Sequence, residues 1–198
     1  MSNLYLATDQ ALVVLTTSGT GCRNELQLAE RKAQCVAVDP LGPELVYCGT
    51  FGGGVWRSRD AGRSWQYASE GMTQSKVLSV AVSRSERVNE CGVVYAGTEP
   101  SAVFRSDDGG DSWRECTGIK ELPSSSEWSF PPRPETHHAR WIHADPHREG
   151  RLFVAIEAGA LIRSFDSGNT WTDLASARQS HDRQDAEPVI YRRTATSC

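Results

Sequence analysis

The octapeptide SRDAGRSW at residues 58–65 returns as SDDGGDSW at 106–113 and as SFDSGNTW at 164–171, with Ser, Asp, Gly, Ser or Thr, and Trp at the same offsets each time. A catalytic aspartate is needed once in a chain, so an aspartate kept three times points to architecture. The residues before each copy fall into register as well: CVAVDPLGPELVYCGTFGGGVWR, VLSVAVSRSERVNECGVVYAGTEPSAVFR and ARWIHADPHREGRLFVAIEAGALIR. Starts at 58, 106 and 164 lie 48 and then 58 residues apart.

A strand-rich unit recurring roughly every 40–50 residues is the signature of propeller blades. In the first full unit, β-branched and aromatic residues between turn residues predict strands at 35–38, 45–49, 54–58 and 64–67. Asp39-Pro40 and Asp145-Pro146 close the first hairpins, and Gly52-Gly53-Gly54 permits the second reversal. The octapeptide then spans the third hairpin. Its serines (Ser58, Ser106, Ser164) open the turn, and its aspartates (Asp60, Asp108, Asp166) accept hydrogen bonds from turn amides and hydroxyls. Gly62, Gly110 and Gly168 take positive φ, and Trp65, Trp113 and Trp171 bury against the blade core.

The expected fold is therefore all-β: a β-propeller of four-stranded antiparallel blades within residues 1–178. It is partial, with about three complete blades and one incomplete, or closes as a small four-bladed ring. The blades are expected at 34–68, 76–116 and 139–175, and 117–138 forms a long inter-blade loop. An incomplete blade at 1–30 has strands at 4–7, 12–16 and 25–28 and a degenerate turn, SGTGC. Residues 179–198 read as a polar tail, or as a strand at 188–193 that returns to close the first blade. Open blade edges would otherwise invite pairing with another copy of the chain.

The 198 residues carry a formal net charge of −4, and Lys and Arg are scattered, which gives no basic tract for nucleic acid. No stretch approaches the ~20 apolar residues of a membrane helix, and the start lacks the basic region of a signal peptide, so a cytoplasmic protein is expected. Six cysteines form no C-x-x-C pair, and no metal or other cofactor is implied. Cys35 and Cys48 fall in neighbouring expected strands, close enough in sequence pattern to face one another.

The three octapeptides match in full the motif S-x-D-x-G-x-[TS]-W of the BNR or Asp-box repeat proteins, and the chain resembles that family over about residues 35–174. The resemblance implies a propeller and no single activity, since the family takes in sialidases, xyloglucan-hydrolysing enzymes, sortilin-type receptor domains and photosystem II assembly factors. The wording around the boxes is similar to bacterial and archaeal proteins labelled glycosyl hydrolase or sialidase-like. The sialidases' N-terminal Phe/Tyr-Arg-Ile-Pro motif is absent, which argues against sialidase activity itself.

Strand order places chemistry on the face opposite the boxes, at 50–53, 99–101, 157–159 and the inter-blade connections. The connection after Arg114 far exceeds the ~2–6 residues of compact loops, and its end, WSFPPRPETHHARW, is dense in aromatic, basic and proline residues. Three readings apply. A carbohydrate or small polar ligand would stack on Trp128 or Trp141 and be held by Glu99, Arg133, His137, His138, Arg140 and Glu157. A glycoside hydrolase would use Glu157 with Glu135 or Asp182, since such enzymes need two carboxyls. A protein-interaction scaffold would present Arg133, Arg140 and Arg163. Adjacent histidines in a strand point to opposite sides, which argues against a metal ion shared by His137 and His138.

Overall fold

The computed structural model describes residues 2–19, 21–130, 132–157 and 159–174. The expected closing strand at 188–193, Asp182 and the rest of 175–198 lie outside the described residues.

Short apolar runs separated by turn residues produce four antiparallel sheets in chain order. The first has three strands, β1 (Ser2–Ala7), β2 (Leu12–Ser18) and β3 (Gly21–Gln27). The second has β4 (Ala33–Asp39), β5 (Gly42–Thr50), β6 (Val55–Ser58) and β7 (Gln66–Tyr67). The third has β8 (Lys76–Val88), β9 (Cys91–Glu99), β10 (Val103–Ser106) and β11 (Arg114–Glu115). The fourth has β12 (His138–Ala144), β13 (Leu152–Glu157), β14 (Leu161–Ser164) and β15 (Thr172–Asp173). Each four-stranded sheet is a meander, and the first strands β4, β8 and β12 lie side by side. Fourth strands are shorter than the sequence suggested, because Ser64 and Trp65 belong to the turn and the ladder begins only at Gln66.

The octapeptide turns share one hydrogen-bond pattern. Asp60 accepts the Ser58 hydroxyl at 2.7 Å, the Ser64 amide at 2.8 Å and the Ser64 hydroxyl at 2.6 Å. Asp108 takes the same three groups from Ser106 and Ser112, and Asp166 from Ser164 and Thr170. The glycine amides of Gly62, Gly110 and Gly168 donate to the leading serine hydroxyls at 2.7–2.9 Å. Those glycines have φ of 86–88°, and the residue before each (Ala61, Gly109, Ser167) is left-handed too. Two successive left-handed residues give the tight reversal a two-strand ribbon requires.

Sheets pack face to face through three apolar seams. Tyr5, Leu12 and Val14 meet Ala33, Cys48 and Trp65 in the first, and Tyr47 and Val55 meet Val94, Phe104 and Trp113 in the second. The third joins Val93, Tyr95 and Val103 to Ile142, Val154 and Ile162. Of the three box tryptophans only Trp113 is buried, at 5% exposed; Trp65 and Trp171 are half-buried, against the expectation that all three bury alike. Cys35 stands opposite Gly49 and Cys48 opposite Val36, so the two thiols are offset, and both are free.

At the box end, each sheet also reaches the turn of the next. The Tyr5 hydroxyl donates to the Ala61 carbonyl at 2.8 Å. Tyr47 and Arg57 donate to the Gly109 carbonyl at 3.1 and 2.7 Å. Tyr95 and Arg105 hold buried Glu86, which accepts the Ser167 hydroxyl at 2.7 Å. Tyr5 thus stands where Tyr47 and Tyr95 stand, so β1, β2 and β3 correspond to second, third and fourth strands.

Candidate functional site

At the end of the sheets away from the boxes, second strands finish opposite the starts of first strands. This register sets Glu99 across from Lys76 and Glu157 across from His138. Glu99 is 3% exposed and takes Lys76 Nζ at 3.0 Å and a two-pronged grip from Arg133 at 2.8 and 3.0 Å. His138, also buried, bridges the two acids, with Nε2 3.2 Å from Glu99 and Nδ1 2.9 Å from Glu157. Burial alone would raise the Glu99 pKa, but the Lys76 and Arg133 hydrogen bonds and the neighbouring charges outweigh it and hold the carboxyl below its ordinary value. Glu99 is therefore a fixed anion.

Glu99, Arg133, His138 and Glu157 line a cavity of about 240 Å³ together with Gln34, Phe51, Phe130 and Arg140. Phe130 packs on His138 with ring centres 4.6 Å apart, and Lys76 lies 5.1 Å from the Phe51 ring. Arg140 reaches the cavity because it is the extra residue of a bulge between Ala139 and Trp141. The Glu157 side chain is 38% exposed and meets solvent at the mouth.

The rest of the expected cluster divides. His137 turns away from His138. Its Nδ1 accepts the Ser101 amide at 3.2 Å, and its ring packs edge-on against Trp128 at 5.7 Å. Burial, and then the neighbouring His138, pull the His137 pKa below its usual range. Trp128 is 7% exposed and belongs to the third seam, where the 117–138 connection, with one-turn helices at Thr117–Glu121 and Pro123–Glu127, also buries Ile119 and Leu122. Trp128, His137, Ser101 and Lys120 border a second cavity of about 260 Å³. Trp141 stands on the outer side of the fourth sheet, 47% exposed and stacked on His143 at 5.5 Å. Glu135 is exposed, and Asp182 lies outside the described residues. Arg163 sits at the box end, 4.9 Å from the Phe165 ring, so it forms no common patch with Arg133 and Arg140.

Phe51 falls in the 50–53 segment expected on this face; Lys76 was missed by sequence reasoning, though the register carries the signal: the first residue of a first strand must face the last residue of the second. Among the described residues no cluster of His, Cys, Asp and Glu has metal-binding geometry, and no helix is long and apolar enough to cross a membrane.

No protein-family model and no curated protein matches the chain. Solved structures do. A GH74 enzyme of Niastella koreensis superposes with a TM-score of 0.62 at 20% identity, over 86% of this chain and 28% of that one. The fold is a β-propeller. YCF48 bound to D1 peptide gives 0.52 at 19% identity over 87% of this chain and 43% of its own, and YCF48 from Cyanidioschyzon merolae 0.54 at 16% over 83% and 47%. The propeller described by these residues thus spans less than half the length of any of the three.

Proposed function

We propose that the chain is an Asp-box repeat propeller that binds a small polar ligand, a carbohydrate unit in particular, in the cavity between Glu99 and Glu157. One observation carries the reading: buried Glu99, ionised and held by Lys76 and Arg133, fixes His138, which in turn fixes the half-exposed Glu157 carboxylate. A first contact locked by a buried second layer is how binding groups are preorganised. The cavity of about 240 Å³ falls below the ~300–1,000 Å³ of drug-sized sites and suits one sugar ring, with Phe51 and Phe130 as apolar walls. Glu157 and Arg140 then hydrogen-bond hydroxyls, or Arg140 pairs with a uronic carboxylate.

Hydrolysis draws less support. A glycosidase needs two carboxyls across one bond, one with raised pKa; Glu135 is exposed and does not line the cavity, and Glu99, which does, is shifted the other way. Calorimetric titration with neutral and uronic-acid oligosaccharides tests the proposal. Saturable binding is expected, weakened about tenfold or more by Glu157→Gln and by Arg140→Ala, the loss of one charged hydrogen bond. The melting temperature should stay constant and no reducing ends should be released. No binding of any sugar, or binding indifferent to both variants, would remove the site.

A further inference from the structure

The two outer faces of the sheet array carry opposite halves of one repeated joint. In the second and third sheets, the side turned toward the following sheet presents an aromatic (Tyr47, Tyr95), a glycine (Gly49, Gly97) and an arginine (Arg57, Arg105) at matching register positions. The aromatic and arginine reach the next box turn, directly for Tyr47 and Arg57 and through Glu86 for Tyr95 and Arg105, and the glycines admit the next first strand. A Cβ on Gly49 would lie 2.6 Å from Val77, and one on Gly97 would lie 2.7 Å from the Ala139 carbonyl. By the same register the fourth sheet presents Phe153, Ala155 and Arg163 on its outer face. That face is therefore built like two that are covered, yet Trp141, Leu161 and Phe165 stand 47%, 43% and 55% exposed there or at its rim. Arg163 Nε is buried without a hydrogen-bond partner.

The first sheet shows the other half. Val94, Ala96 and Phe104 are the third sheet's contribution to its seam with the sheet before. Leu4, Leu6 and Val13 hold those positions in the first sheet by pairing register, and Leu26 lies beside Val13. Leu4, Leu6 and Leu26 are 56%, 44% and 71% exposed. Six of the nine large apolar side chains exposed among the described residues thus gather on these two faces, whereas scattered single ones would need no explanation.

We infer that a second copy of this chain covers them head to tail, the first sheet of one copy packing on the fourth sheet of the other. The faces complement each other in kind: aliphatic knobs on one, and an aromatic, a small residue and an arginine on the other. A joint between unlike surfaces closes into a two-membered ring where the rotation from copy to copy is a half turn, and into a larger ring or an open chain where it is not. This differs from pairing of strand edges, because each sheet stacks on its neighbour through side chains.

Sedimentation velocity of the full chain, with two variants, tests it. The wild type should sediment as an assembly of two or more copies. Leu26→Glu blocks the first-sheet face and Leu161→Glu the fourth-sheet face. Both sites are exposed, and unchanged circular dichroism would confirm folding. Each variant alone should be monomeric, its association weakened about 30-fold or more, as for loss of a central contact. Mixed together they should form a one-to-one pair, since each keeps the face the other has lost. A wild type that is monomeric at every concentration overturns the inference, leaving residues 175–198 or a different protein as the cover. Variants that still self-associate, or that fail to pair when mixed, overturn it as well.

Discussion

Trp113 and Ala68 meet across the seam between the second and third sheets, the indole N–H donating to the carbonyl at 2.9 Å. Trp171 instead closes its N–H on Gly168 within its own turn, and Trp65 Nε1 is buried without a partner. The three residues share a motif position and differ in work. Trp113→Ala should cost about 3–5 kcal/mol in urea unfolding, as for a buried aromatic, and Trp65→Ala and Trp171→Ala distinctly less. Equal losses at all three would contradict the packing.

The box aspartates set an acid limit on stability. Hydrogen bonds, from Ser64 first, hold the Asp60 pKa at about 2, and Asp108 and Asp166 are lowered as well. A carboxyl whose folded pKa lies below its unfolded value of about 3.9 contributes stability above that pH and loses it as pH falls toward the folded value. The melting temperature should therefore hold above about pH 4 and drop between about 4 and 2. Asp108→Asn should lower stability at neutral pH and flatten that drop; an unchanged acid slope would refute the assignment.

Arg105 and Arg59 separate buried from exposed ion pairing. Arg105 meets Glu86 at 2.5 Å with both side chains under 10% exposed, and Arg59 meets Asp111 at 3.1 Å with both about half exposed. Arg105→Ala strands a buried carboxylate and should cost about 3–5 kcal/mol in denaturant titration. Arg59→Ala should cost under about 1 kcal/mol, the range of surface pairs.

Gly97 is a steric position. A methyl there would sit 2.4 Å from Ser79 Oγ and 2.7 Å from the Ala139 carbonyl. Overpacking of this kind costs about 1–3 kcal/mol, so Gly97→Ala should lower the midpoint of urea unfolding even though alanine is the better strand residue. A neutral or stabilising result would mean that the inner strands β8 and β12 lie further apart.

Much of this was readable in the chain. The box repeats fixed turn, register and blade order at once, because each aspartate must find its amides four residues on and each serine its glycine. Register also placed Glu99 and Glu157 at one end of the sheets. What did not read was side-chain direction in the 128–141 stretch. Its composition groups Trp128, His137, His138 and Trp141, but strand alternation and the bulge at Arg140 send them to a seam, two separate cavities and an outer face. Nor did local pattern reveal Lys76, whose partner stands 23 residues away in sequence.

The seam joints have a consequence for how the molecule is made. Among the described residues the seams join each sheet to its immediate neighbours, so stability accumulates along the chain like tiles laid in a row, and a nascent polypeptide can set each tile against the last before the next emerges. In a chain kept single by Leu26→Glu, amide hydrogen exchange should then be slowest in the middle of the array, at β5 and β9, and quicken outward toward β2 and β14.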